Sequence, residues 1–172
     1  MSERDLGKLC ATLNPVMAEP VYVYCVFTDF ALPDGLLAFC TVREEEGLTA
    51  IVERDDAEHR GLPYTYTARL ITLTVHSSLD AVGFIATISR KLADAGIPCN
   101  VIAGYYHDHL LVPVGQADNA MRLLQEIAAY VGPPPRPALP PRPWKTVSSI
   151  PRRAARAASA SCARKISHCA VK

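Results

Sequence analysis

Long hydrophobic runs, paired cysteines and glycine-rich phosphate motifs are all missing from this 172-residue chain. No apolar stretch approaches the ~20 residues that span a bilayer. Met1 to Leu13 carries Glu3, Arg4, Asp5 and Lys8 with no apolar centre, so neither a membrane segment nor a secretory leader is expected, and the cytosol is the expected compartment. The six cysteines show no CxxC pair and no zinc-finger spacing. Cys10, Cys25, Cys40 and Cys99 fall among apolar neighbours, where a thiol acts as a small hydrophobe. Gly83 and Gly104 belong to no GxGxxG or P-loop, so no nucleotide cofactor is expected. Ser77 and Ser78 belong to no GxSxG elbow, and a small enzyme is left only chemistry that these motifs do not show. The expectation is a protein that is not an enzyme and holds no cofactor.

Charge is unevenly spread. Nine of the eighteen Lys and Arg lie in residues 133–172 with no acid among them, which leaves nine bases against seventeen acids in the first 132 residues. Gly132-Pro133-Pro134-Pro135 opens that basic stretch, and Pro137, Pro140, Pro141 and Pro143 favour polyproline II over packed structure. From Pro151 onward Ala, Ser and Arg offer too few large apolar residues to offset the entropy of ordering, so 133–172 is expected to be a disordered tail. Its charge alone suggests nucleic acid or an anionic membrane, but aromatic interleaving stops at Trp144, so neither partner is expected for the body of the protein.

Pro63 and the polar run Tyr64 to Thr67 divide the body into segments 1–64 and 65–132. In the second, Ile71, Leu73 and Val75 alternate with Thr72, Thr74 and His76, which predicts a strand with one buried face. Ser77-Ser78 reads as the N-cap of a helix that carries Asp80 in its first turn, Ala81, Ile85, Ile88 and Leu92 on one stripe, and Gly96 as its stop. Strands Cys99 to Gly104 and Leu110 to Pro113 follow, then a helix from Ala117 with Ala120, Leu124, Ile127 and Val131 on one side. The order βαββα is one strand short of a ferredoxin-like βαββαβ unit, and a strand from the first segment is expected to complete the sheet. That segment offers a helix over Arg4 to Leu13, strands Val21 to Phe27, Leu36 to Val42 and Leu48 to Glu53, and a helical turn over Asp55 to Arg60.

Two stretches are rich in polar and glycine residues beyond what structure requires. Glu45 and Glu46, before the bend allowed by Gly47, read as a solvated loop or as acceptors for a cationic group. His107-Asp108-His109 invites a metal reading, but adjacent strand residues point to opposite faces and no second cluster supplies the other ligands, so no metal is expected. A strand-to-helix turn from Ser77 to Gly83 presents backbone N–H groups that attract a carboxylate. Asp108, with Asn100 and Glu46 as further candidates, supplies acceptors for an ammonium. Together these groups match the two ends of an amino acid.

The segments Val75-His76-Ser77-Ser78-Leu79-Asp80-Ala81-Val82-Gly83, Asn100-Val101-Ile102-Ala103-Gly104-Tyr105-Tyr106-His107-Asp108-His109 and Glu45-Glu46-Gly47-Leu48-Thr49 resemble the signatures of a bacterial family of tandem ACT-domain proteins, over about residues 5–131. The resemblance implies an α+β fold: two ferredoxin-like domains with antiparallel sheets and helices on one face. It implies a regulatory protein that binds an amino acid or similar metabolite between ACT domains, and a homodimer. The family is also similar to the eukaryotic cytosolic arginine sensor, and by that resemblance Asp108 matches an acidic ligand contact. The implied ligand site comprises Glu45, Glu46, Gly47, Ser77, Ser78, Leu79, Val82, Gly83, Asn100, Val101, Ile102, Gly104 and Asp108. The alternative is a protein-interaction module that dimerises or binds a partner enzyme without a ligand.

Overall fold

The structure is a computed structural model and describes residues 3–75 and 77–129. The tail expected over 133–172 lies outside the described residues.

Helix α1 (Leu6–Ala11) starts where the Asp5 carboxylate accepts the Lys8 N–H. Strand β1 (Pro15–Phe27) follows and runs antiparallel to β3 (Leu48–Glu53) along Tyr22–Phe27 and to β4 (Thr67–Leu73) along Pro15–Met17 and Val21–Val23. Strand β2 (Ala38–Arg43) pairs with β3, and the short helix α2 (Arg54–His59) connects β3 to β4. Helix α3 (Phe84–Asp94), strands β5 (Asn100–Ala103) and β6 (Asp108–Pro113), a 3₁₀ turn (Val114–Gln116) and helix α4 (Ala117–Ala129) complete the chain. All pairings are antiparallel, in a six-stranded sheet of order β2-β3-β1-β4-β6-β5.

The order resolves into two overlapping ferredoxin-like units. Strands β4, β5 and β6 with α3 and α4 take their missing strand from β1, the donation expected from the first segment. In return β1, β2 and β3 with α2 take β4 as their fourth strand, so β1 and β4 serve both units. The hairpin turns obey the same correspondence. Glu44 donates its N–H to the Gly47 carbonyl at 2.9 Å in the β2–β3 turn, and Gly104 donates to the His107 carbonyl at 3.0 Å in the β5–β6 turn.

Helices cover one face of the sheet. Leu9, Cys10 and Leu13 meet Phe84, Ile88 and Leu92 of α3, Leu124 and Ile127 of α4, and Ile71, Leu73, Leu110 and Val112 of the sheet. Ala57 of α2 closes a smaller core with Val23, Cys25, Ala50 and Val52. Val23 lies directly opposite Thr67, whose side chain shares a face with Ile71 two positions on each time, so both cores occupy the same side. On the other side Tyr22, Ile51, Ala68, Leu70 and Leu111 are buried with none of the described helices in their cluster. The sheet curves toward that side. Phe39 of β2 and His109 of β6 have three strands between them, roughly 19 Å in a flat sheet, yet their rings stand 5.1 Å apart.

Helix α3 begins later than the sequence predicts. Ser77 and Ser78 do not cap α3: the helix starts at Phe84, behind Gly83 at φ 94°, and Asp80 and Ala81 precede it. A left-handed Gly83 breaks the helical path, and residues 77–82 form a loop.

Candidate functional site

The end of the sheet where β4 stops and β6 begins gathers most of the motif residues. Asp108 stands opposite Leu73 and is 7% exposed, the one buried charged side chain among the described residues. The Ser77 hydroxyl donates to its Oδ2 at 3.2 Å. No Lys or Arg pairs with it among the described residues. Burial therefore raises the Asp108 pKa above its ordinary value, with partial relief from Ser77 and the neighbouring histidines. The sequence reading assigned Ser77 to a helix cap; its hydroxyl serves this carboxylate instead.

The two histidines flank Asp108 differently. His109 Nδ1 lies 3.0 Å from the Thr72 hydroxyl, and burial lowers its pKa. His107 Nδ1 is buried with no hydrogen-bond partner among the described residues. Gly104 holds the turn in front of them: a Cβ there would lie 2.6 Å from the His107 carbonyl oxygen, a distance only glycine tolerates.

The loop after β4 brings the second set. Ser78 donates its N–H to the Glu3 carbonyl at 2.9 Å, and Asp80 pairs with Arg4 at 2.8 Å. Leu79 and Val82 are exposed. Gly83 carries no capping side chain, and Thr87 makes the first bond back to it, so the N–H groups of Phe84, Ile85 and Ala86 are left without intrahelical acceptors. An anion is favoured at that terminus rather than at Ser77-Ser78.

The remaining motif residues lie elsewhere. Asn100, Val101 and Ile102 run along the edge strand β5, and Asn100 Nδ2 reaches the Tyr66 hydroxyl at 3.5 Å. Glu45 and Glu46 are exposed in the β2–β3 turn. Gly47 is buried there and a Cβ would lie 2.7 Å from the Phe27 carbonyl oxygen, so the position excludes a side chain, and the Glu44 carboxylate accepts the Thr49 hydroxyl. Phe27 pairs with Leu48 at one end of the 13-residue β1 and Pro15 pairs with Leu73 at the other. Glu45 and Glu46 therefore stand beyond the opposite end of β1 from the strand ends that carry Asp108. Sequence reasoning missed Thr72, Glu3 and Arg4. Each meets the site through pairing across the fold, and nothing local marks it.

A family model described as ACT domain matches residues 1–69, and a second one, also described as ACT domain, matches residues 66–126. A Vibrio cholerae protein of unknown function, described as a possible transport protein, is 43% identical over 72% of this chain and 95% of its own, with a TM-score of 0.65. A protein from Agrobacterium tumefaciens is 16% identical over 67% of this chain and 89% of its own, at a TM-score of 0.57. The ligand-free regulatory subunit of aspartate kinase from Thermus thermophilus is 10% identical over 69% of this chain and 97% of its own, at 0.53. The last two share the fold. No curated protein matches the chain.

Proposed function

The chain belongs to the ACT-domain family, with two such domains in tandem, and from that premise we propose that it is a sensor whose ligand is an amino acid. ACT domains are ligand-binding regulatory modules; the identity of this ligand and the residues that hold it are our reading.

One observation carries it. Asp108 is a buried carboxylate with a hydroxyl donor and, among the described residues, no Lys or Arg paired with it. A desolvated, unneutralised acid is a receptor for a charged amine, because an ammonium supplies the charge-assisted hydrogen bonds that the protein withholds. The N–H groups at the start of α3, which have no intrahelical or capping acceptor among the described residues, supply the complementary seat for a carboxylate. Ser77 holds Asp108 in place, and Leu79 and Val82 stand at the rim for the ligand side chain. No catalytic role is assigned to any of these residues. Among the described residues no helix is long and apolar enough to cross a membrane.

Glu45 and Glu46 enter this reading only through a second copy, since they stand at the far end of their own sheet. We place them in a homodimer in which the β2–β3 turn of one protomer approaches the Asp108 end of its partner.

A thermal-shift screen of the full chain against the common amino acids tests the sensor. A ligand at 100 times its Kd adds about 2.7 kcal/mol, which reads as a rise of several degrees. The expected result is a rise with one amino acid or a small group, lost in Asp108→Asn. No shift with any of them, at millimolar concentration, overturns the proposal in favour of a module that binds protein alone.

A further inference from the structure

We propose that the segment Glu3–Arg4 is a strap that positions the ligand loop, with Arg4 acting through Asp80 as a positioning residue; this rests on the sensor reading above. The loop needs such a device. Leu79 is 67% and Val82 89% exposed, so of its larger apolar side chains neither anchors it, and the small Ala81 is the part that packs against the core. Its tip is tied to the rest of the fold at Asp108, through Ser77, and at the strap, through the Ser78 N–H to the Glu3 carbonyl and the Arg4–Asp80 pair. Glu3 and Ser77 also form a parallel bridge.

The strap is itself fixed. It runs directly into α1, whose Leu9 and Cys10 are buried in the same core as Phe84, Ile88 and Leu92 of α3. Leu6 stands against Gly83, at 3.6 Å from where a Cβ would be. The Glu3 carboxylate accepts the N–H groups of Arg4 and Asp5 at 2.8 and 2.9 Å, which sets the bend from strap into helix. The loop is thus clamped between a helix that belongs to the core and a carboxylate that the ligand engages. When an ammonium takes Asp108, Ser77 shares that acceptor and the strap becomes the loop's main remaining polar tie. Holding the loop beforehand removes part of the ordering that binding would otherwise have to impose.

Arg4 and Asp80 are 69% and 74% exposed, and a pair so open to water contributes little to global stability. Its effect is local. The test compares wild type, Arg4→Asp, Asp80→Arg and the double swap in the full chain. It reads amide exchange at Ser78 without ligand, affinity for the amino acid that shifts wild type, and ligand-free melting.

Each single swap is expected to speed exchange at Ser78 and weaken affinity about threefold to tenfold. The double swap should recover both, and melting should stay within about a degree throughout. Exchange at Ser78 unchanged by Arg4→Asp overturns the strap, as does faster exchange with unaltered affinity. A wild-type chain that answers to no amino acid overturns the sensor reading instead, and the exchange pattern still decides whether the strap holds the loop.

Discussion

At Asp108 the physical chemistry of folding and that of the proposed binding pull in opposite directions. Burial raises the folded pKa above the ordinary 3.8. A carboxyl shifted this way favours folding fully below its unfolded pKa and loses that contribution as pH rises through the folded one. At neutral pH the ionised group therefore opposes folding of the ligand-free chain. Asp108→Asn is expected to raise melting at pH 7 by a few degrees, on the order of 1 kcal/mol, and to flatten stability between pH 3.8 and the raised pKa. Ligand affinity should move the other way and gain with pH across that window, since only the carboxylate receives an ammonium. Melting curves and titrations at several pH values check both signs. Gly104→Ala makes a separate prediction: the added Cβ meets the His107 carbonyl oxygen at 2.6 Å, so the turn must open. The expected loss is about 1–3 kcal/mol by denaturant unfolding.

Among the elements, regular alternation and regular helical spacing were readable, and exceptions to them were not. Strand β3 occupies the predicted Leu48–Glu53, and α4 starts at the predicted Ala117. Strand β1 was expected from Val21 but begins at Pro15, because Ala18, Glu19 and Pro20 interrupt its alternation at a register shift between Met17 and Val21. Arg69 makes that irregularity tolerable: its guanidinium donates to the Ala18 carbonyl from Nη2 at 2.6 Å and Nε at 3.2 Å. Arg69→Met keeps the aliphatic stem and removes both donors, and is expected to lose about 1–2 kcal/mol in equilibrium unfolding. The start of α3 was hidden for a related reason. Serine before an apolar stripe looks like a cap, yet a serine hydroxyl takes whichever acceptor the fold brings, and Asp108 lies 31 positions away. The Ser77–Gly83 and Asp108 motifs were therefore legible as a cluster, while their separation from Glu45 and Glu46 depends on sheet order, which no local pattern encodes.

The molecule as a whole carries two equivalent hairpin turns at opposite ends of one sheet, and they are chemically unequal. The turn over Glu44–Gly47 is acidic, and the turn over Gly104–His107 leads into the buried Asp108. Two-fold association is isologous: if the acidic turn of one protomer approaches the Asp108 end of its partner, the reverse contact exists as well. Each ligand site is then built from two chains. Two acids facing each other repel unless a cation lies between them, so ligand binding and dimerisation should reinforce one another. The prediction concerns mixed dimers. Asp108→Asn alone and Glu45→Gln with Glu46→Gln alone should each lose the amino-acid response. Co-expressed with different affinity tags and isolated as a mixed dimer, the two chains place both defects in one site and leave the other intact. Calorimetric titration should then find about half the wild-type stoichiometry at wild-type affinity. A silent mixed dimer would place all the binding groups within one chain, and a full response from the Glu45→Gln, Glu46→Gln protein would return those residues to a solvated turn.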